Sequence, residues 1–161
     1  CIFSLFKCNI KMKSSVSHFN HLEKTMNSTA AGITLIRVSL GIMWIAHALL
    51  KLFVFSLAGT AAYFESIGFV GELAYPVFAA ELIGGILLVL GVYARQVSLL
   101  LIPVMMVAAW VHLPNGWTHT STNGGWEYPV FLIFASLAVW LMEDGLLTLK
   151  KSKLLTFSNQ A

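Results

Sequence analysis

Charge is the property that this sequence has least of. Only 11% of its 161 residues are Asp, Glu, Lys or Arg, while 58% are hydrophobic. Because about a quarter of the residues in soluble domains are charged, the composition excludes an ordinary water-soluble domain and indicates a membrane protein. The formal charge is +3, and lysines cluster before the first apolar run and after the last. This distribution indicates that the basic residues orient the protein in a lipid bilayer, so we expect no nucleic-acid partner.

Cysteine and cofactor motifs are scarce as well. Cys1 and Cys8 lie in a polar tail, with neither a Cys-x-x-Cys pair nor a set of His and Cys at metal-ligand spacing. We therefore expect no thiol redox chemistry and no metal site. Flavin, nucleotide and iron–sulfur motifs are missing from the sequence too, so any electrons would come from a partner subunit or a soluble donor.

What the sequence has instead is four apolar runs, at residues 33–50, 74–94, 97–113 and about 128–142. Each approaches the roughly 17–25 residues that a helix needs to cross about 30 Å of hydrocarbon. The last run is short unless flanking residues extend it. The pattern predicts an all-α fold, an integral membrane four-helix bundle in one domain.

Basic residues mark the two ends of this predicted bundle. The loops at 58–76 and 112–129 contain no Lys or Arg, whereas the turn between the second and third runs holds Arg95. By the positive-inside rule both termini are cytoplasmic in a multi-pass protein of the bacterial inner (plasma) membrane. We predict a polar N-terminal tail at 1–28, disordered or not native, with Met26 as a natural start. A four-span domain at 29–149 and a basic cytoplasmic tail at 150–161 follow.

Ionisable residues within the runs are the candidate functional groups, because a charge near the middle of a span is costly and usually pairs or faces the bundle. His47 and Lys51 are one helical turn apart near the outer end of the first run. Glu81 lies about 10 Å below the outer surface on the second, at 1.5 Å per residue. His112 ends the third run. We predict that these four candidate catalytic residues, together with Glu127, share the outer third of the bundle.

Each of these residues also has a purely structural explanation. Lys51 and Arg37 could extend to lipid headgroups, with Arg37 alternatively bonded to carbonyl groups inside the bundle. Glu127 could be a helix-start acid, Arg95 a topology anchor, and either histidine a hydrogen-bonded structural residue. Glu81 is the strongest candidate, because a carboxylate at that depth must find a cation or be protonated.

Small residues next to these groups predict close helix packing. Gly84 and Gly85 follow Glu81 on the adjoining turn, and Gly41 lies one turn from Arg37. Such residues let neighbouring backbones approach in a membrane. We interpret all three as packing residues.

Residues 59–69, between the first and second runs, predict a short surface helix over the polar cluster. Ala61, Phe64 and Ile67 share one face at helical spacing. A connecting loop with a single helical turn is the alternative.

A dense polar loop joins the third and fourth runs. Its Pro, Asn and Gly residues favour turns, and its aromatic residues suit the headgroup region. Asn115 and Asn123 can both donate and accept hydrogen bonds above the cluster. We add Arg37, Asn115, Asn123, Trp126 and Glu127 as candidate binding residues around an outward-opening polar pocket.

Together these residues resemble the DoxX family of small four-span membrane proteins. The resemblance covers about residues 32–147, with residues 1–25 outside it, and residues 118–121 make the loop longer than the plainest family pattern. It is carried by Arg-Val-Ser-Leu-Gly at 37–41, the segments 44–47 and 51–53, Glu-Leu-Ile-Gly-Gly at 81–85, and the loop at 112–129.

The family name derives from a membrane subunit tied to terminal quinol oxidation and thiosulfate:quinone oxidoreduction. The resemblance therefore implies at most a membrane subunit of a quinone-linked oxidoreductase, with quinone as the candidate cofactor. His47, Lys51 and His112 would face the carbonyl groups or relay protons, Glu81 would balance charge, and Asn115 or Glu127 would lie at the mouth. A haem held between the two histidines has no further supporting pattern.

Three functions stay open. The first is a quinone-interacting component of an oxidoreductase system, with a protein partner that supplies electrons. The second is a non-catalytic scaffold that docks other membrane proteins. The third is passage of protons or a small solute, for which four spans leave little room unless the chain forms a homo-oligomer.

Overall fold

The computed structural model describes residues 28–152, and every regular element within that range is helical. The predicted all-α class is confirmed, while the tail predicted at residues 1–28 falls almost wholly outside the described residues. Short 3₁₀ turns at Gly71–Leu73 and Leu113–Asn115 flank the third and fourth helices. The helices are α1 at Ser28–Val54, α2 at Leu57–Ser66, α3 at Ala74–Leu90, α4 at Ala94–His112 and α5 at Glu127–Leu141.

Three of these helices are long and apolar enough to cross a membrane: α1, α3 with its preceding 3₁₀ turn, and α4 with its following one. The distribution of side chains agrees with a lipid environment. Phe53 and Leu100 are 77% and 74% exposed, whereas Arg37 and Glu81 are 0% and 1% exposed. A bilayer favours this arrangement, in which apolar side chains face outward and charged side chains are buried inside the protein. The chain is therefore a membrane protein.

The fourth apolar run forms α5, whose 15 residues extend only about 22 Å at 1.5 Å per residue. Its predicted shortness is confirmed. α5 packs against α4, and its side chains Leu132 and Val139 join Leu101 and Met105 of α4 in the buried core.

The start of α1 and the chain after α5 lie at the same end of the molecule as the α3–α4 turn. The backbone N–H of Leu149 donates to the Leu90 carbonyl oxygen at 3.1 Å. Thr34 on α1 accepts from the N–H of Leu146 at 2.6 Å. Because α5 begins at the opposite end, where α4 finishes, the chain from α5 to Leu149 runs the length of the bundle.

Glycines set the spacing of α1 and α3, as the sequence predicts. A Cβ atom added at Gly41 would lie 2.7 Å from the Gly85 carbonyl oxygen, and one added at Gly85 would lie 2.8 Å from the Gly41 carbonyl oxygen. Both distances are shorter than any real contact of this kind. The two helix backbones therefore touch at this crossing, which only residues without a side chain permit.

The segment between α1 and α3 forms the predicted short helix, α2, rather than a loop with one turn. Ser56 has a positive φ of 58°, and its side chain caps α2 by accepting from the N–H of Gly59. α2 contacts α3 and the 3₁₀ turn at Gly71–Leu73 that precedes α3. This fold places α2 beside the same end of the bundle as the polar loop.

Candidate functional site

A cavity of about 670 Å³ opens beneath α2 and the polar loop. Side chains of every helix contribute to its wall, and most of them are apolar. The predicted catalytic candidates all belong to this wall. Its ionisable or aromatic polar members are His47, Lys51, Glu81, His112, His119, Tyr63 and Tyr128.

Lys51 and Glu81 form an ion pair at the deep side of the cavity. The Lys51 Nζ atom donates to Oε1 of Glu81 at 2.8 Å and to Oε2 at 2.6 Å. The Glu81 side chain is 2% exposed and that of Lys51 19%. Of the two alternatives for Glu81, a cation partner or protonation, this contact matches the cation partner. An ammonium has three hydrogens, so Lys51 keeps one for another acceptor.

His47 lies one turn before Lys51 on α1. Its Nδ1 atom is 2.8 Å from the carbonyl oxygen of Met43, and its ring stacks on Tyr128 of α5 with 5.4 Å between the ring centroids. A carbonyl oxygen only accepts, so Nδ1 carries the hydrogen in this contact. In the neutral imidazole the other nitrogen, Nε2, therefore has a free lone pair.

His112 has the opposite arrangement at the end of α4. The side-chain nitrogen of Asn115 lies 3.2 Å from Nδ1 of His112 and donates to the Asn123 carbonyl oxygen at 3.2 Å. Because an amide nitrogen only donates, Nδ1 of His112 accepts, and the neutral ring carries its hydrogen on Nε2. Asn115 thus orients His112, and Asn123 takes part through its backbone.

The polar loop is fastened at the cavity mouth by Glu127 and His119. Oε1 of Glu127 accepts from the backbone N–H of His119 at 2.9 Å and lies 2.6 Å from its Nδ1. Trp126 packs edge-to-face on Trp117, with 4.3 Å between ring centroids. Glu127, Trp126 and Asn123 are not part of the cavity wall, so these binding candidates shape the loop.

Arg37 lies away from the cavity, fully buried near the α3–α4 turn. Its Nη1 donates to the carbonyl oxygens of Leu88 at 2.6 Å and Val89 at 3.1 Å. Its Nη2 donates to those of Leu146 at 3.0 Å and Leu147 at 3.3 Å. Of the roles considered for Arg37, the carbonyl partner is the one that this geometry matches.

The rest of the wall combines expected and unexpected residues. Phe64 of α2 and Ile67 just after it, which the sequence placed on one face of the surface helix, line the cavity together with Tyr63, which the sequence did not single out. Phe69 packs edge-to-face on Trp110 of α4 at 6.0 Å. His119 and Tyr128 were assigned only to the loop and the headgroup region.

The family model for DoxX matches residues 32–113, about half of the chain. The chain belongs to the DoxX family. Among curated proteins it is similar to "Putative oxidoreductase CatD" of Bacillus subtilis (strain 168), at 41% identity over 69 residues that cover 43% of this chain and 50% of that protein. The chain thus matches about half the length of this relative. No solved structure matches it.

The DoxX match ends at Leu113. It therefore includes His47, Lys51, Glu81 and His112, while the polar loop and α5 lie beyond it. Within residues 28–152, no three His, Cys, Asp or Glu side chains are grouped so that they could hold a metal ion. The chemistry that the site offers is hydrogen bonding and proton exchange beside an ion pair.

Proposed function

We propose that this DoxX-family membrane protein binds the head group of a quinone in the cavity, as the quinone-interacting component of an oxidoreductase system. The observation that carries the proposal is the composition of the cavity wall. Apolar side chains make up most of it, and a few polar groups converge between them, which is typical of sites for lipid-soluble ligands.

The polar groups match the carbonyl oxygens of a quinone ring. A carbonyl oxygen needs a hydrogen-bond donor, and the wall offers several, among them Nε2 of His112, the third hydrogen of Lys51 and the hydroxyl of Tyr128, which is buried without a partner in the described chain. Glu81 compensates the charge of Lys51, which offsets part of the desolvation cost of placing an ammonium inside the bundle. Reduction of a bound quinone takes up protons, and an imidazole can both accept and release a proton.

In this proposal α5 is a fourth crossing and both termini are cytoplasmic, in the inner membrane of a bacterium. Support comes from the hydrogen bond between Leu149 and Leu90, which brings the chain after α5 to the α3–α4 turn. The lysine-free loops then place the cavity mouth outside. Electrons reach the quinone from a partner subunit or a soluble donor.

The test is a titration of the purified full chain with a decyl-chain benzoquinone. Quenching of tryptophan fluorescence reports the binding. We expect saturable binding that Glu81→Gln and His112→Ala each weaken at least tenfold. Glu72→Gln is the matched control, because it makes the same chemical change at an exposed residue outside the cavity wall. Retained affinity in both cavity variants would remove the proposed site.

A second measurement separates this function from a non-catalytic scaffold. Organic extraction of the protein purified from its native membrane, followed by mass spectrometry, should release a quinone. A scaffold would instead co-purify with a constant protein partner and release no such compound.

A further inference from the structure

Two histidines of the cavity wall offer opposite hydrogen-bonding groups. In the neutral rings, Nδ1 of His47 donates to the Met43 carbonyl oxygen and leaves a lone pair on Nε2, whereas Nδ1 of His112 accepts from Asn115 and leaves a hydrogen on Nε2. The hydrogen bonds of both rings within the described chain are made through Nδ1, and both histidines line the cavity. Both nitrogens are therefore open to a ligand in the cavity.

The two redox forms of a quinone differ in how they meet these groups. The oxidised ring has two carbonyl oxygens, which only accept. They can bind His112 and Lys51 but leave the lone pair of His47 facing an oxygen lone pair. Each hydroxyl of the reduced ring both donates and accepts, so a quinol can satisfy His47 together with His112 or Lys51.

We infer that the cavity binds the quinol form of its ligand more tightly than the quinone form, with Nε2 of His47 accepting a hydroxyl hydrogen. This inference rests on the proposed function and adds the redox state of the ligand that the site selects. An acceptor that the bound ring covers without offering it a donor weakens binding by about tenfold. By linkage, a tenfold preference for the reduced form raises the midpoint potential of the bound two-electron couple by about 30 mV.

Anaerobic titration of the full chain with three probes tests the inference: a decyl-chain benzoquinone, the corresponding hydroquinone, and the dimethyl ether of that hydroquinone. The ether keeps both acceptor oxygens and has no hydroxyl hydrogen. We expect the hydroquinone to bind about tenfold more tightly than the benzoquinone, and the ether to bind no more tightly than the benzoquinone. An ether that binds as well as the hydroquinone would overturn the inference.

The variant His47→Gln tests the contact itself, because a glutamine amide can turn its NH₂ group toward a carbonyl oxygen. We expect the preference for the hydroquinone to fall to within about twofold of unity, while Glu72→Gln keeps it. A preference that persists in His47→Gln would show that another group is the acceptor. The titration with the three probes uses only the wild-type chain. It therefore tests the redox preference even if His47→Gln does not fold.

The outcomes distinguish the inference from the proposed function. If neither redox form binds the wild-type chain, the proposed function fails and the inference falls with it. If the benzoquinone binds as tightly as the hydroquinone or more tightly, only the redox preference is wrong.

Discussion

The ammonium of Lys51 lies 2.6 Å and 2.8 Å from the two carboxylate oxygens of Glu81. Lys51 belongs to a π-helical turn, Leu50–Val54, that ends α1, where the N–H of Phe55 donates to the Leu50 carbonyl oxygen five residues earlier. Such turns inside helices are rare and often occur at functional sites. Here the wider turn carries the cation that pairs with the deepest carboxylate of the cavity.

The first prediction concerns this ion pair. Lys51→Met and Glu81→Gln should each lower the free energy of unfolding by roughly 3 kcal/mol, because each leaves one charge inside the bundle without its counter-charge. The double variant should be more stable than either single variant, since it leaves no uncompensated charge. Unfolding in mixed micelles, followed by circular dichroism, measures all three.

Additive losses in the double variant would contradict this account, because they would show that the two side chains do not interact energetically. Glu72→Gln serves again as the control, and its unfolding free energy should match that of the wild type.

The second prediction concerns the crossing of α1 and α3. Gly85→Ala should destabilise the protein by about 1–3 kcal/mol, the usual range for overpacking, because its methyl group would meet the Gly41 carbonyl oxygen at 2.8 Å. Gly32→Ala, where an added Cβ meets nothing within 4 Å, is the control and should be neutral or slightly stabilising. Equal thermal midpoints for the two variants would refute the close crossing.

The lengths of the apolar runs and the depth of the charged residues within them made much of this fold predictable. Four apolar runs gave the helices, although their ends shifted by a few residues, and the glycines gave the close α1–α3 crossing. Glu81 was identifiable as the central polar residue because a charge at that depth has few alternatives. The cation that it pairs with was one of several nearby candidates. Only the observed contact selects Lys51.

Other parts of the site depend on contacts between distant segments, which a single sequence does not encode locally. Arg37 binds carbonyl groups around positions 88 and 146, more than fifty residues away along the chain. His119 joins the wall because the loop folds back onto Glu127. Helical period carries no information about the path of such a loop.

The third prediction separates Arg37 from the cavity. Arg37→Lys should lower the unfolding free energy by about 2–3 kcal/mol, because an ammonium cannot reproduce the fork that binds four carbonyl groups. Quinone affinity of the folded variant should stay within twofold of the wild-type value. Arg95→Lys is the matched control, since Arg95 donates through Nε to a single carbonyl, that of Trp140; its cost should be about 1 kcal/mol. A large loss of quinone affinity in Arg37→Lys would support the earlier prediction that Arg37 is a binding residue.

The fourth prediction concerns topology. In a chain with Cys1 and Cys8 replaced by serine, single cysteines at Val70 and Lys151 report the two ends of the bundle. A membrane-impermeant maleimide should label Val70→Cys in intact cells and Lys151→Cys only after permeabilisation. Labelling of Lys151→Cys in intact cells would mean either that the bundle is inverted or that α5 does not cross, and the Val70→Cys result distinguishes the two.

The fifth prediction concerns the loop at the cavity mouth. A Cβ atom added at Gly125 would collide with the backbone of Trp117 and Thr118, which would separate the N–H of Glu127 from the Trp117 carbonyl oxygen that it binds at 3.0 Å. Gly125→Ala should therefore open the loop, raising protease cleavage there severalfold and weakening quinone binding through displacement of His112. Thr120→Ala, at the exposed tip, is the control. Unchanged cleavage in Gly125→Ala would show that the loop does not need this close contact.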